Sequence, residues 1–275
     1  MTTVITAKLS LAVRLLDTTT GREVTEPDIH FSVDGNTVIP MRKDEGMYVF
    51  VNMGKEDFLM HIDVRGYDSI DEQVIRNELD PKLPIMDIFL MPSEKNRIGG
   101  EVLTATGTLS ELEYIEGIYL NHPIALFHSA LDKKEIHKIN LLSMTAGGGV
   151  NLDKLRYALL DEDGQRYDTF NTLEQDTPTS VMIDGPLTRE HKLNDKIYRI
   201  IYGRAGPDGK FVLKVRDEAG ELPYLIHFGV LGKEYFRKLD FHQETGEIDL
   251  LNGAALVEEK DQTESIEERE ERQDE

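Results

Sequence analysis

A run of three glycines is the first feature whose composition could support chemistry. It lies in residues 145–150 (TAGGGV). A phosphate-binding loop of this kind ends in a lysine followed by serine or threonine and opens a helix, so that backbone N–H groups surround the phosphates. Here the chain continues as VNLD over residues 150–153, without that pair. The run therefore predicts a flexible loop between strands and not a nucleotide site.

Two short acidic motifs have residue types that could bind calcium or transfer a proton. Residues 161–164 (DEDG) lack the longer frame and the terminal glutamate ligand of a calcium loop, and a β-turn is the better interpretation. Asp240 and His242 share a face if the chain alternates through Phe241. No serine in a nucleophile turn accompanies them, so we predict a polar surface pair.

The histidines are scattered singly and are not grouped like metal ligands. His61 falls on the polar side of an alternating strand and is predicted to lie at the surface. Neither His-x-His nor His-x-x-x-His spacing occurs among the others considered, His122, His128, His137, His191 and His227. The sequence therefore predicts no catalytic, cofactor-binding or metal-binding residues, no cofactor, and a protein that is not an enzyme.

Composition narrows the class of protein further. The chain has 275 residues, without cysteine or tryptophan, which excludes disulfides, thiol nucleophiles and cysteine–zinc sites. A cysteine-free chain fits the reducing cytoplasm, and also suits proteins that leave the cell without oxidative folding. The first residues lack a basic segment followed by an apolar one, and no apolar run approaches the roughly 20 residues that span a bilayer. We expect a cytoplasmic protein with no signal peptide and no membrane contact.

The charge is strongly acidic along the whole chain. The formal net charge is −21, and residues 257–275 contribute ten acidic and three basic side chains. The remaining residues are therefore also acidic, so the folded body repels nucleic acid and anionic lipid surfaces. We expect protein partners and no nucleic acid; the charge serves solubility or docking onto a basic partner surface.

Alternating strands dominate the first third of the chain. Strands are predicted at about residues 3–17, 28–33, 37–42, 46–53, 58–65 and 85–91, with Asp34-Gly35 as a hairpin turn. Tyr48 and Phe50 share one face of their strand. Phe58, Met60, Ile62 and Val64 share a face of the next. Short strands at this spacing indicate a β-sandwich.

Three stretches of this region have a characteristic combination of turns and core aromatics: residues 13–24 (VRLLDTTTGREV), 31–52 (FSVDGNTVIPMRKDEGMYVFVN) and 58–74 (FLMHIDVRGYDSIDEQV). Together they resemble the carboxypeptidase regulatory-like domain, a transthyretin-like (prealbumin-like) sandwich. The chain departs from the family at residues 54–57 (GKED), where a Pro-Gly turn is common. The matching motifs are turns and core aromatics, so the resemblance implies a seven-strand fold and an accessory role in folding, spacing or binding.

A polar stretch at residues 91–100 (MPSEKNRIGG) is the best domain boundary. We predict a transthyretin-like domain over residues 1–95 and a second all-β domain over residues 98–245. Its strands are predicted at residues 101–109, 114–120, 124–131, 135–142, 155–160, 179–183, 196–203, 210–216, 224–231 and 234–241. Only residues 152–159 have a pattern that also fits a helix. The fold class is all-β, with two sandwich-like domains.

Residues 246–275 are assigned to an acidic, disordered tail. Its last part (VEEKDQTESIEEREERQDE, residues 257–275) cannot bury enough apolar surface to fold alone. Such a tail either solubilises the protein or docks as an acidic peptide on a basic groove.

The pattern as a whole favours a non-catalytic structural or adaptor protein. A phage-like tail, baseplate or contractile injection particle is one setting in which cysteine-poor all-β modules serve as spacers, an argument by fold analogy. The alternative is a carbohydrate- or surface-binding module, for which the tyrosines 114, 119, 157 and 167 are the candidate contact residues.

Overall fold

The computed structural model describes residues 8–26, 28–43, 46–94, 100–145, 148–162 and 167–257. These residues form an all-β protein, as predicted, with one short 3₁₀ turn at Arg76–Glu78. The predicted beginning of the first strand, residues 3–7, lies outside the described residues, as does the tail segment 258–275.

An N-terminal sandwich is formed by the first eight strands. They are β1 (Leu9–Asp17), β2 (Ile29–Val33), β3 (Asn36–Val38), β4 (Met41–Arg42), β5 (Met47–Val51), β6 (Phe58–Val64), β7 (Ile70–Val74) and β8 (Ile85–Leu90). One sheet has the order β4-β5-β1-β8 and the other β3-β2-β6-β7. The resemblance to the carboxypeptidase regulatory-like domain stays a prediction.

The predicted faces of this sandwich are confirmed. Tyr48 and Phe50 are buried side by side, and β6 alternates strictly, with Met60 and Ile62 fully buried. Phe31 packs on both aromatic rings of β5, with centroids 5.1 and 5.3 Å away. The sequence pattern did not indicate β7, because Asp71, Glu72 and Gln73 interrupt it at a sheet edge.

Within the described residues, the second region contains fourteen further strands. They are β9 (Val102–Thr108), β10 (Leu112–Tyr119), β11 (Ala125–Lys133), β12 (Ile136–Ser143), β13 (Arg156–Leu160), β14 (Tyr167–Thr177), β15 (Ser180–Ile183), β16 (Lys196–Tyr202), β17 (Arg204–Ala205), β18 (Lys210–Arg216), β19 (Pro223–Val230), β20 (Lys233–Asp240), β21 (Gly246–Glu247) and β22 (Ala255–Leu256). The ambiguous residues 152–159 end in β13 and form no helix.

Six of these strands close into a barrel inserted between β10 and the end of β16. Their order is β11-β12-β15-β14-β13-β16, and β16 pairs back to β11 through Ala125 and Ile197. Buried side chains from all six strands form one apolar cluster, which includes Phe127, Tyr157 and Val181. This inserted barrel was not indicated by the sequence, because antiparallel strands of a barrel and a sandwich share the same alternation.

The strands that precede and follow the barrel in the sequence form a C-terminal sandwich. The end of β16 continues as β10-β19-β20-β22, and the facing sheet is β17-β18-β9-β21. Their shared core includes Phe211, Phe228 and Phe241, all almost fully buried.

Residues 246–257 belong to this C-terminal sandwich, which corrects the predicted start of the tail at residue 246. The short strand β21 pairs in parallel with β9, β22 pairs with β20, and Leu250 is 1% exposed. The physical reason is local apolar content: Ile248, Leu250 and Ala254 pack on the sandwich core. The acidic composition that suggested a tail begins only after them.

Candidate functional site

A buried polar cluster lies where the inserted barrel meets the C-terminal sandwich, and we call it the His227 cluster. Its members are Tyr114 and Glu116 on β10, Arg156 on β13, Tyr167 on β14, His227 on β19 and Glu234 on β20. Alternation places them: Ile226 and Phe228 enter the sandwich core, so His227 must point to the opposite face. There it meets the barrel wall formed by β13 and β14.

Both nitrogens of the His227 ring have polar partners. Nδ1 lies 3.1 Å from the Tyr167 hydroxyl and 3.4 Å from Glu116 Oε2. Nε2 lies 3.1 Å from the Tyr114 hydroxyl and 3.6 Å from Glu234 Oε2. The ring itself is 1% exposed, so these groups replace water around it.

The barrel contributes a cation to the same cluster. Arg156 Nη1 donates to Glu116 Oε1 at 2.6 Å, and Nη2 donates to the Thr169 hydroxyl at 3.0 Å. The Tyr114 hydroxyl donates to Glu234 Oε1 at 3.2 Å. Phe236 closes the apolar side of the site, 4.8 Å from the ring of Tyr167 and 4.9 Å from that of His227.

The environment shifts the pKa values of several cluster members. Burial alone would lower the pKa of His227, but hydrogen bonds and charges from Glu116 and Glu234 outweigh it and raise the pKa above 6.5. The hydrogen bond from His227 lowers the pKa of Glu234 despite partial burial. Burial raises the pKa of Tyr114 and Tyr167, which therefore stay protonated at neutral pH. The arrangement can hold a proton on His227, and the hydroxyls beside the ring belong to tyrosines that stay protonated.

A second histidine is buried in the loop between β15 and β16. His191 Nε2 lies 3.0 Å from Asp168 Oδ2, and Nδ1 lies 3.1 Å from Asp195 Oδ2. Thr188 donates to Asp168 through both its backbone N–H and its hydroxyl. Burial opposes ionisation of Asp168, but the hydrogen bonds from His191 and Thr188 lower its pKa. Every contact serves to fix the loop.

A third polar cluster, the junction, joins the N-terminal sandwich to the second region. Asp17 Oδ2 accepts hydrogen bonds from Arg216 Nη2 at 3.0 Å and from the Tyr67 hydroxyl at 2.9 Å. The buried ammonium group of Lys214 donates to Asp68 Oδ2 at 2.7 Å and to the carbonyl oxygen of Pro92 at 2.9 Å. Pro92, which lies in the predicted boundary stretch 91–100, is thus part of a packed interface.

Apolar and backbone contacts extend the junction to the barrel. Leu16 is 1% exposed and packs with the apolar cluster of the barrel. The rings of Phe89 and Tyr202 lie 4.1 Å apart, and the backbone N–H of Tyr202 donates to the carbonyl oxygen of Thr18. Arg199 donates to the carbonyl oxygen of Thr20. The N-terminal sandwich therefore contacts both parts of the second region.

The motifs noted in the sequence lie apart from these clusters. In the glycine run, residues 146–147 lie outside the described residues, and Val150 is buried, with its N–H on the carbonyl oxygen of Pro178. Residues 163–164 of the acidic motif also lie outside the described residues. His242 is exposed as predicted, but its ring contacts Asp217 at 2.8 Å. The contact between His242 and Asp240 is a hydrogen bond from the backbone N–H of His242, not from its ring.

His61 is exposed as predicted and contacts one carboxylate, Asp71 Oδ1, at 2.7 Å. Among the described residues, no group of three or more potential ligands is placed to hold a metal ion. A hollow of about 460 Å³ beside the His227 cluster is lined partly by Arg189, Leu231, Lys233 and Glu234. Leu231 is 70% exposed, so this hollow is a surface feature. No helix within the described ranges has the length and apolar character needed to cross a bilayer.

The sequence predicts His227 as an isolated histidine and does not single out Glu116, Arg156 or Glu234. The members of the His227 cluster come from five strands, so the sequence does not show that they meet. Glu116 and His227 are 111 positions apart and meet only when β10 and β19 pair. A signal was nevertheless present. Each interrupts an otherwise apolar run, YIEGIYL over residues 114–120 and YLIHFGV over 224–230, and such a residue must be paired if the strand is buried on both faces.

Comparisons with known proteins give only weak likenesses. No family model matches the chain, and no curated protein matches it in sequence. Among solved structures, the major pilin subunit BcpA of Bacillus cereus is similar at a TM-score of 0.23 and 9% identity, over 90% of this chain and 68% of the pilin. The Bacillus anthracis TIE protein gives 0.21 and 9%, over 87% and 49% of the two chains. At these values neither likeness carries an argument about function.

Proposed function

We propose that this protein is a non-catalytic structural or adaptor protein, in which the N-terminal sandwich is a spacer held rigidly against the second region. The junction is the observation that supports this proposal. Most of its charged groups are buried: the side chains of Arg216 and Asp17 are 16% and 7% exposed, and that of Lys214 is 7% exposed beside the 43% exposed Asp68. A flexible pair of domains has no need of buried ion pairs, whose geometry must be maintained to offset the loss of hydration.

The absence of enzymatic activity is part of the same proposal. The buried polar clusters around His227 and His191 bond to other side chains of the protein, and their contacts point inward. The hydroxyls beside the His227 ring belong to Tyr114 and Tyr167, whose raised pKa values make them poor nucleophiles at neutral pH. Polar groups arranged in this way stabilise one packing of the chain, and of the His227 cluster Glu234 alone lines the surface hollow.

The setting we propose is a phage-like or contractile injection particle, assembled from protein made in the cytoplasm. The acidic net charge of −21 favours protein partners with basic surfaces over nucleic acid or anionic membranes. The resemblance of residues 13–74 to a spacer module agrees with this role. The support that this resemblance gives is an analogy of fold.

The alternative, a carbohydrate- or surface-binding module, has less support from the side chains. Such a site needs aromatic rings displayed to solvent, but Tyr157 and Tyr167 are 0% and 6% exposed. Tyr119 is half-buried and stacks on Tyr224 with centroids 4.9 Å apart. Tyr114 is held by the His227 cluster.

The rigidity can be measured because the chain has no cysteine. Cysteines introduced at exposed Glu56 in the N-terminal sandwich and exposed Lys133 in the barrel would carry spin labels. We expect a single narrow distance distribution for this pair. Labels at Glu56 and at exposed Thr245 form a second pair, which should also give a single narrow distribution. Broad distributions for both pairs would overturn the spacer role.

The setting needs a separate experiment in the native host. Tagged full-length protein should co-purify with sedimenting particles that contain tail-tube or sheath proteins, and electron microscopy should place the tag on them. Recovery only as a free protein that binds a defined glycan in a saturable way would favour the carbohydrate-binding alternative.

A further inference from the structure

The His227 cluster connects the barrel to the C-terminal sandwich. Along the chain, these two bodies are joined only where their strands adjoin. Glu116, His227 and Glu234 belong to the sheet of the C-terminal sandwich, whereas Arg156 and Tyr167 belong to the barrel wall. The polar contacts described above therefore run across an interface, and apolar side chains such as Ile118, Ala158 and Leu225 pack around them. We propose that His227 is a pH-dependent clamp, which holds the barrel against the C-terminal sandwich while its ring is protonated and loosens this contact when the proton leaves.

The charges of the cluster balance only when the ring is protonated. Glu116 and Glu234 supply two negative charges, Arg156 supplies one positive charge, and the imidazolium form of His227 supplies the second. A neutral ring removes the cation that lies between the Glu116 carboxylate, whose side chain is 5% exposed, and the half-exposed Glu234 carboxylate. Losing a cation between two carboxylates, one of them buried, is unfavourable, so the packed arrangement favours the protonated ring.

Hydrogen bonding supports the same assignment. A protonated imidazole donates from both nitrogens, and here each nitrogen has a carboxylate oxygen within 3.4 to 3.6 Å. A neutral ring has one bare nitrogen, which must then accept a hydrogen bond from the hydroxyl of Tyr114 or Tyr167 and faces a carboxylate oxygen with no proton between them. If Tyr114 turns its hydroxyl to Nε2, Glu234 loses the donor that it has at 3.2 Å.

The other titratable and charged groups around the ring come from each neighbouring strand. From β10 and β20 the ring faces Tyr114, Glu116 and Glu234, and from β13 and β14 it faces Arg156 and Tyr167. Tyr202 on β16 interacts with Glu116 and Arg156, and Arg189 acts on Glu234 from the loop before β16. The tyrosines named here have raised pKa values, so His227 is the member of this set that changes charge near neutral pH.

The direction of the pH effect follows from the raised pKa of His227. A folded-state pKa above the unfolded value of 6.5 means that the folded protein binds the proton more tightly than the unfolded chain does. The resulting stabilisation is fully present below pH 6.5 and is lost as the pH rises through the folded-state pKa. The clamp is therefore tightest in mildly acidic solution.

The experiment combines a titration with a structural measurement on the full chain. Nuclear magnetic resonance of the histidine rings should give His227 a midpoint above 6.5. Hydrogen exchange, corrected for the intrinsic effect of pH, should show amides of β13, β14, β19 and β20 losing protection as the pH rises past that midpoint. His227→Gln should abolish this pH dependence. His128→Gln, which changes an exposed histidine of the barrel, should leave it unchanged.

A second variant keeps the proposal testable if His227→Gln does not fold. Glu234→Gln changes a half-exposed carboxylate at the rim of the cluster, and it should lower the titration midpoint of His227 and shift the loss of protection to lower pH. A His227 midpoint at or below 6.5 in the unmodified protein would overturn the clamp. The clamp would also be overturned if the pH dependence of hydrogen exchange were the same in His227→Gln, in Glu234→Gln and in the unmodified protein.

Discussion

Arg216 and Asp17 form an ion pair between the second region and the N-terminal sandwich, with Nη2 and Oδ2 3.0 Å apart. The two residues are 199 positions apart in the chain, and both side chains are largely buried. Asp17 also accepts hydrogen bonds from the backbone N–H groups of Thr19 and Thr20. One carboxylate thus fixes the turn after β1 and holds the cation of the neighbouring sheet.

Replacing this carboxylate should destabilise the whole protein. Asp17→Ala removes the negative charge beside Arg216 within the junction, and breaking a buried pair in this way costs about 3–5 kcal/mol of unfolding free energy. Denaturant unfolding measures the change. Asp28→Ala is the matched control because Asp28 pairs with Arg65 at 3.5 Å on the surface, where the loss should not exceed about 1 kcal/mol. Equal losses for both variants would contradict the junction.

The two faces of β5 should tolerate changes unequally. Phe50 is 4% exposed between the sheets, and Phe50→Ala should cost about 3–5 kcal/mol. Val49 is only partly buried on the opposite face, so Val49→Ala should cost clearly less. For the same reason Phe50→Asp should unfold the N-terminal sandwich at a denaturant concentration that Val49→Asp withstands. Near-native melting of both aspartate variants would refute the assigned faces.

The end of the folded region should be detectable by adjacent leucines. Leu250 is 1% exposed and Leu251 is 48% exposed, so Leu250→Ala should cost about 2–5 kcal/mol and Leu251→Ala about 0.5 kcal/mol or less. Deleting residues 258–275 should also change the unfolding free energy by less than about 0.5 kcal/mol. Thermal melts of these three variants separate a packed segment from a dispensable extension. If Leu250→Ala left the unfolding free energy unchanged, residues 246–257 would belong to the tail and not to the packed sandwich.

His191 should be essential for the loop between β15 and β16. Its side chain is fully buried between Asp168 and Asp195, so His191→Ala leaves two buried carboxylates facing each other, at a cost of about 3–5 kcal/mol. The pKa of Asp168 is lowered in the intact protein, so its contribution is present above the unfolded pKa and is lost as the pH falls.

The difference between wild type and His191→Ala should therefore shrink as the pH falls below about 4, towards the lowered pKa of Asp168. Unfolding curves at several pH values test this, with His128→Ala as the exposed control. A difference that is independent of pH would show that the two carboxylates do not depend on the histidine.

Much of the local structure could be predicted from residue patterns. The alternation in β6 placed Phe58, Met60, Ile62 and Val64 on the buried face, and the structure confirms it. The turn at Asp34-Gly35 is also where the chain reverses between β2 and β3, with both residues at positive φ. These features are local, because side chains point alternately to the two faces of any strand.

The predictions from the sequence are wrong where the local composition of a segment and its packing disagree. Strand β7 is polar in sequence, yet its pairing with β6 orders it through backbone hydrogen bonds. Residues 246–257 precede an acidic segment, yet the few apolar side chains among them reach a core built by distant strands. In both cases the decisive partner lies elsewhere in the chain, so the segment considered alone gives the wrong answer.

The sequence by itself determined the all-β class, the buried face of many strands and the exposed position of His61, since each depends on residues within a few positions. Only the tertiary structure decided that six strands close into a barrel, that Asp17 meets Arg216 and that Glu116, Arg156 and Glu234 surround His227. The physical reason is that alternation fixes which side of a strand is buried but not which strand becomes its neighbour. Buried charges acquire their partners only through that choice of neighbour.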